Sequence, residues 1–317
     1  MGHAKIISGL FVALGLAAVV ACGDSTSSTP AVTADQACTN AATALCAKID
    51  SCTALAIATQ YGDQPTCVAR AKLSCIPNLA APGTSQTPAN LDTCASAVGG
   101  ISCSALSQNS PPEACKVKPG AVANGGACAQ DAQCVSTACI DTGITGCGTC
   151  GPRVAIGGAC GAKGQGPCDY GSICSGGVCK KQASAGEACG TGSDCSFGLI
   201  CKTNVCATPD AAGATCTPGT GDVDTCDKAK GQFCQPVKKQ CAAVKQASIN
   251  AACGLETNGD LTVCIGGAYC KIGAQPLQGV CTKLVADGGA CSDKDPCQSP
   301  AACIASVCKI VDPSSCK

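Results

Sequence analysis

The sequence predicts a small disulfide-rich fold: a short Ala-rich, disulfide-stapled helical domain followed by an array of about six four-cysteine hairpin modules. Three observations predict it. The 317 residues include 35 cysteines, about 11%, a level at which cysteine forms a framework. Aromatic residues make up only 2% and Trp is absent, so little material exists for a conventional core. And one skeleton recurs from Cys128 to Cys308: Gly-x-x-Cys, then three more cysteines, with a short apolar arm before the last.

At the N-terminus, residues 1–21 read as a secretory leader. Met1 to Lys5 carries one Lys, and Ile6 to Ala21 is apolar but too short and weakly apolar for a spanning helix. Export agrees with the cysteine content, because disulfides persist only in oxidising compartments. Val19-Val20-Ala21-Cys22 resembles the lipobox of bacterial lipoprotein signal peptides. That resemblance implies cleavage before Cys22 and a lipid anchor on its sulfur, making the membrane the first partner. Gly23 rather than Asp follows Cys22, which by the sorting rule of many Gram-negative lipoproteins implies the outer membrane, with the protein facing periplasm or cell surface. Setting Cys22 aside leaves 34 cysteines, an even number that can pair completely. Residues 22–36 are Ser/Thr-rich and read as a flexible lipidated tether.

Residues 37–115 hold Cys38, Cys46, Cys52, Cys67, Cys75, Cys94, Cys103 and Cys115 at helical spacing. Thr33-x-x-Gln36 predicts a capping box. Cys38, Cys46, Ile49, Cys52 and Ala56 then fall on one stripe of a helix that Gly62 stops. A second helix is expected over Asp63 to Cys75, with Pro65 in its first turn. A third is expected from Thr87-Pro88 to Val98, ended by Gly99-Gly100. Residues 116–126, with Pro119 and Gly120, read as a linker to the repeat array, 127–317.

The first module holds Cys128, Cys134, Cys139, Cys147 and Cys150. The next two hold Cys160, Cys168, Cys174 and Cys179, then Cys189, Cys195, Cys201 and Cys206. The fourth and fifth hold Cys216, Cys226, Cys234 and Cys241, then Cys253, Cys264, Cys270 and Cys281. The sixth holds Cys291, Cys297, Cys303 and Cys308, and Cys316 lies beyond it. Gly125, Gly157, Gly186, Gly213 and Gly288 stand three residues before the first cysteine, with Asn250 in the fifth module. Gly and Asn best tolerate positive φ, so a left-handed turn is expected at each module's start. Between the third and fourth cysteines a hairpin is expected, as at Ile173-Cys174-Ser175-Gly176-Gly177-Val178-Cys179. Module three offers only Phe197, Leu199, Ile200 and Val205 as apolar filling. Its stability must come largely from bridges, each worth on the order of 3 kcal/mol.

Asp194-Cys195-x-x-Gly198-Leu199-x-Cys201 within the repeat resembles the Dickkopf N-terminal cysteine-rich domain as found in bacterial proteins. The layout, with Tyr61-Gly62, Ala81-Pro82-Gly83-Thr84 and Pro111-Pro112-x-x-Cys115, is similar to cysteine-rich lipoproteins of myxobacteria. The resemblance implies architecture and no activity. Four cysteines allow three pairings. Joining first to second and third to fourth leaves a module's halves unlinked, whereas interleaved and nested pairings both link them. The likeness to EGF-type modules favours the interleaved form, Cys189–Cys201 with Cys195–Cys206. The surplus Cys147 and Cys316 are expected to join neighbouring modules.

Catalytic chemistry finds little material. The only histidine, His3, lies in the leader, so the mature chain lacks His-based nucleophile activation and His-ligated metal sites. Glu113, Glu187 and Glu256 are scattered over the chain. Cys147-Gly-Thr-Cys150 is the only C-x-x-C spacing, but without a βαβ context it reads as framework. Asp222, Asp224 and Asp227, and Asp293 and Asp295, lack the calcium-loop pattern and read as solvated turn carboxylates. Lys180-Lys181 and Lys238-Lys239 read as solvated surface, and zero net charge gives no footprint for nucleic acid. The expectation is a non-enzyme without cofactor or metal. It binds an extracellular protein or glycan through its module loops; a structural envelope spacer and a protease inhibitor are the alternatives.

Overall fold

The structure, a computed structural model, describes residues 31–140, 143, 146–218, 224–273 and 277–316. The expected leader, Cys22, most of the expected tether and Asp222 lie outside the described residues.

Helix α1 spans Ala34–Cys52. Thr33 caps it by accepting from the Gln36 N–H at 3.2 Å. Only half the expected capping box forms, because the Gln36 amide donates forward to Asn40 at 2.8 Å. The helix stops at Cys52, short of the expected Gly62. Thr53 is extended, and the next N–H, Ala54, donates to Ala229 of the fourth module at 2.9 Å. The chain re-enters helix as α2, Ala56–Gln60, and Gly62 then turns it at φ +92. Helix α3, Gln64–Leu79, is capped by Asp63 and runs beyond the expected Cys75. Helix α4, Pro88–Val98, has the expected bounds, with Thr87 as cap. A short α5, Cys103–Ser107, follows.

Helix α1 buries Cys38, Ala41, Leu45, Cys46 and Ile49 at its contacts with α3 and α4. Cys38–Cys75 and Cys46–Cys67 tie α1 to α3, and Cys52–Cys103 ties it to α5. Cys94–Cys115 closes α4 onto the last turn, so all eight cysteines pair within the domain. Small Ala side chains let the helices approach closely, and sulfur fills much of the remaining volume.

The modules share one frame. The six turn residues Gly125, Gly157, Gly186, Gly213, Asn250 and Gly288 all have positive φ, between +71 and +87. Each donates its N–H to the carbonyl of its module's last cysteine: Cys150, Cys179, Cys206, Cys241, Cys281 and Cys308, always at 2.8 Å. The frame begins three residues before that turn. Val122, Val154, Ala183, Asp210 and Val285 each bridge the second cysteine in parallel, and Ala247 pairs likewise with Cys264. Val122 belongs to the expected linker. That stretch is therefore hydrogen-bonded into module one, and Ala121 also donates to Gly83 at 2.8 Å.

Third and fourth cysteines face each other across the hairpins 173–175/178–180, 200–202/205–207, 232–235/240–243 and 302–304/307–309. In module five the hairpin 268–272/278–283 extends into a five-stranded sheet. These facing cysteines do not bond to each other. They reach back to the opening loop in the interleaved pattern: Cys189–Cys201 with Cys195–Cys206, and likewise Cys160–Cys174 with Cys168–Cys179. Modules four, five and six repeat it as Cys216–Cys234 with Cys226–Cys241, Cys253–Cys270 with Cys264–Cys281, and Cys291–Cys303 with Cys297–Cys308. Module one pairs Cys128–Cys139 and Cys134–Cys150.

The remaining bridge, Cys147–Cys316, joins module one to the end of the chain across 169 residues, instead of joining neighbours. Each module also touches the helical domain. The contacts run from Gln130 on Asn78, Gly171 on Asn109 and Ser196 on Gln108, to Ala229 on Ala54, Gly266 on Ala58 and Asp287 on Arg70. The first and last contacts both fall on α3, and eight residues of helix span about 12 Å. The array is thus a closed belt around a helical hub.

The pairing has a direct test. Cys195→Ser is expected to leave Cys206 as the alkylatable thiol in a peptide map; labelling of Cys201 instead would overturn the interleaved pattern.

Candidate functional site

Among the described residues, four of the ten ion pairs join neighbouring modules. Asp131 of module one pairs with Arg153 of module two at 2.6 Å and accepts the Cys139 N–H at 2.9 Å. The Arg153 guanidinium lies 4.3 Å from the Tyr170 ring centroid, and the Tyr170 hydroxyl accepts from the Val117 N–H at 3.0 Å. Burial pushes the Asp131 carboxyl up against the opposing charge of Arg153, and pushes the Tyr170 hydroxyl up to about 12.

Asp194 links modules two and three. It accepts from Lys180 at 2.6 Å, from the Ser175 hydroxyl, and from the Gly190 and Thr191 N–H groups at 2.7 and 2.8 Å. Burial opposes its ionisation, but these donors outweigh it and hold the carboxyl far below the usual range. At the next junctions Lys202 pairs with Asp210 at 2.7 Å, and Gln235 donates to Asp260 at 3.0 Å. The Lys202 hydrogen bond lowers Asp210, and those of Lys245 and Gln235 lower Asp260. Asp295 of module six accepts from Lys271 at 2.6 Å and Tyr269 at 2.8 Å, both of module five. These bonds and one from Ser292 hold it at about 2. Last, Arg70 of the hub makes a two-pronged pair with Asp287 at 2.6 and 2.7 Å, and also donates to the Ser299 and Gln298 carbonyls at 2.8 Å each.

These contacts correct part of the sequence reading. Asp224 is a buried carboxylate that accepts from the Cys226 and Cys234 N–H groups at 3.0 and 3.1 Å, and Asp295 is a junction clamp. Asp227 caps a short turn and pairs with Lys230 at 3.0 Å. Lys180 is an inter-module partner, whereas Lys181, Lys238 and Lys239 are exposed as expected. The signal missed was spacing: these acids fall at module edges, where the next module's donors arrive. Glu113, Glu187 and Glu256 each make local contacts, with Lys116 at 2.6 Å, the Ser184 N–H at 2.5 Å and Thr262 at 2.8 Å.

Sulfur is concentrated but bonded. In the first five modules three sulfurs, such as those of Cys189, Cys195 and Cys206, lie within 4.8 Å of one another, because two disulfides stack at the module centre. Cys147 and Cys150 bond to different partners, Cys316 and Cys134, so the C-x-x-C spacing forms no dithiol couple. A cavity of about 40 Å³, lined by Leu45, Ile49, Tyr61, Ala71 and Pro300, has room for water alone.

The described hairpin tips of modules two, three, four and six are exposed. Gly176-Gly177, Thr203-Asn204 and Ala305-Ser306 have φ between +51 and +80 at both central positions, the tight turn that suits a twisted hairpin. Module four instead shows Val237, 64% exposed, beside Lys238 and Lys239, and module five shows Leu277. The frame is constant and the tip chemistry varies. No family model, curated protein or solved structure matches this chain.

The junction acids make a pH prediction. The lowered acids Asp194, Asp210, Asp260, Asp287 and Asp295 stabilise the fold fully above their unfolded pKa of about 3.9, and lose that contribution as pH falls through their folded values. Asp131, raised by burial, has the opposite sign. Calorimetry is expected to show a melting temperature nearly constant from about pH 7 to 5 that falls between about pH 4 and 2. A rise across that acid window would refute the clamp account.

Proposed function

We propose that this chain is a non-catalytic, lipid-anchored outer-membrane protein that binds an extracellular protein or glycan through the tips of its belt. The observation carrying this reading is the contrast between frame and tips. Six modules repeat the same 2.8 Å turn bond, while their tips range from Gly-Gly to an exposed Val237-Lys238-Lys239. Loops of different chemistry on a fixed scaffold are a common means of recognition. The anchor rests on Val19-Val20-Ala21-Cys22. Among the described residues no helix is long and apolar enough to cross a membrane, and a lipid on Cys22 needs none.

The closed belt disfavours the spacer alternative. A spacer works by reach, whereas here Cys147 and Cys316 are held 5.4 Å apart between Cα atoms. The absence of catalysis is supported by a mature chain without histidine and by junction carboxylates already engaged with protein donors.

Two measurements test the reading. Cys22→Ala is expected to abolish acylation and release the protein from the membrane fraction; retention after a carbonate wash would overturn the anchor. Immobilised chain from Asp24 to Lys317 is expected to retain one saturable envelope protein or glycan. Retention of nothing would favour a structural role, and retention of a protease would favour an inhibitor.

A further inference from the structure

The geometry points to Cys147–Cys316 as a thiol–disulfide exchange site, a clasp that a dithiol reductant opens while every module stays intact. Three observations separate this bridge from the others. It spans 169 residues, while the next longest spans 51. It is the one bridge outside the internal frames of the hub and the modules; the rest close within one or the other. And neither of its cysteines is buried, whereas each other bridge contains at least one buried cysteine. Even the exposed Cys174 is joined to Cys160, which is 6% exposed.

Exchange requires a thiolate to reach one sulfur along the line of the S–S bond, so access controls which bridge reacts. In every other bridge at least one of the two sulfurs is buried, so either the attacked sulfur is shielded or the thiolate released is a buried one, whose raised pKa makes it a poor leaving group. The tail meets module one at Gly146, where an added Cβ would lie 2.1 Å from a Val311 methyl, and Pro313 is buried beside a turn capped by Asp312.

The step balances as ordinary exchange. One thiolate of the dithiol attacks a sulfur of the bridge, forming a mixed disulfide and releasing the other cysteine as a thiolate. The second thiol of the reductant attacks the mixed disulfide. Two electrons pass to the protein, Cys147 and Cys316 become thiols, and the reductant leaves as a cyclic disulfide. After opening, module six stays on the hub through Arg70, but the covalent tie to module one is gone. Opening frees the tail 309–316 from module one, and the oxidised dithiol recloses the bridge.

The test uses the full folded chain. Native protein is titrated with dithiothreitol, quenched with an alkylating agent and mapped by mass spectrometry. Cys147 and Cys316 are expected to be labelled at least about tenfold faster than any other pair. Amide exchange over 309–316 is expected to rise while that of the module frames is unchanged. Earlier labelling of another pair, or simultaneous labelling of all cysteines, would overturn the proposal. So would a Cys147→Ser/Cys316→Ser double variant that still releases two thiols at the same dithiol concentration.

Discussion

Two interleaved disulfides stacked at the centre of each module are the interaction on which everything else depends. A module of this length holds too few apolar side chains to offset the entropy of ordering its backbone. The bridges reduce that cost in the unfolded chain and also act as the core, since buried sulfur occupies the module interior. Interleaving matters because the third and fourth cysteines sit opposite each other in the hairpin. Bonded together they would secure only that hairpin. Bonded back to the first and second they hold the opening loop, the turn and both hairpin arms as one body.

Once the modules are rigid, their edges become the variables. Each edge carries an acid that meets a donor of the adjoining module or of the hub: Arg153, Lys180, Lys202, Gln235, Lys271 and Arg70. Exposed ion pairs contribute little, but several of these acids also accept further hydrogen bonds, and Asp131 and Asp194 are largely withdrawn from water. Such contacts fix orientation between small bodies that share little apolar surface. The hub completes the arrangement by offering a separate contact to each module, from α2, α3 and the turns that follow α1 and α5, which bends a linear repeat into a belt. The closed belt leaves the hairpin tips of modules two, three, four and six exposed.

The sequence by itself determined the modules. Cysteine spacing, Gly or Asn three residues before each first cysteine, and the Val before several last cysteines are local signals, and local backbone geometry obeys them. The helix caps at Thr33, Asp63 and Thr87 were legible for the same reason: a cap is a contact between residues three apart. Where the local reading failed, a distant partner was responsible. Helix α1 ends at Cys52 because Ala54 gives its N–H to the fourth module, and Val122 leaves the linker because Cys134 accepts it as a strand partner. Only the tertiary structure decided between interleaved and nested bridges, since both satisfy the same spacing. Only it assigned Asp194, Asp287 and Asp295 to junctions and joined Cys147 to Cys316. Those choices depend on which surfaces meet after the chain has turned around the hub, and a pattern of short-range spacings carries no record of that path.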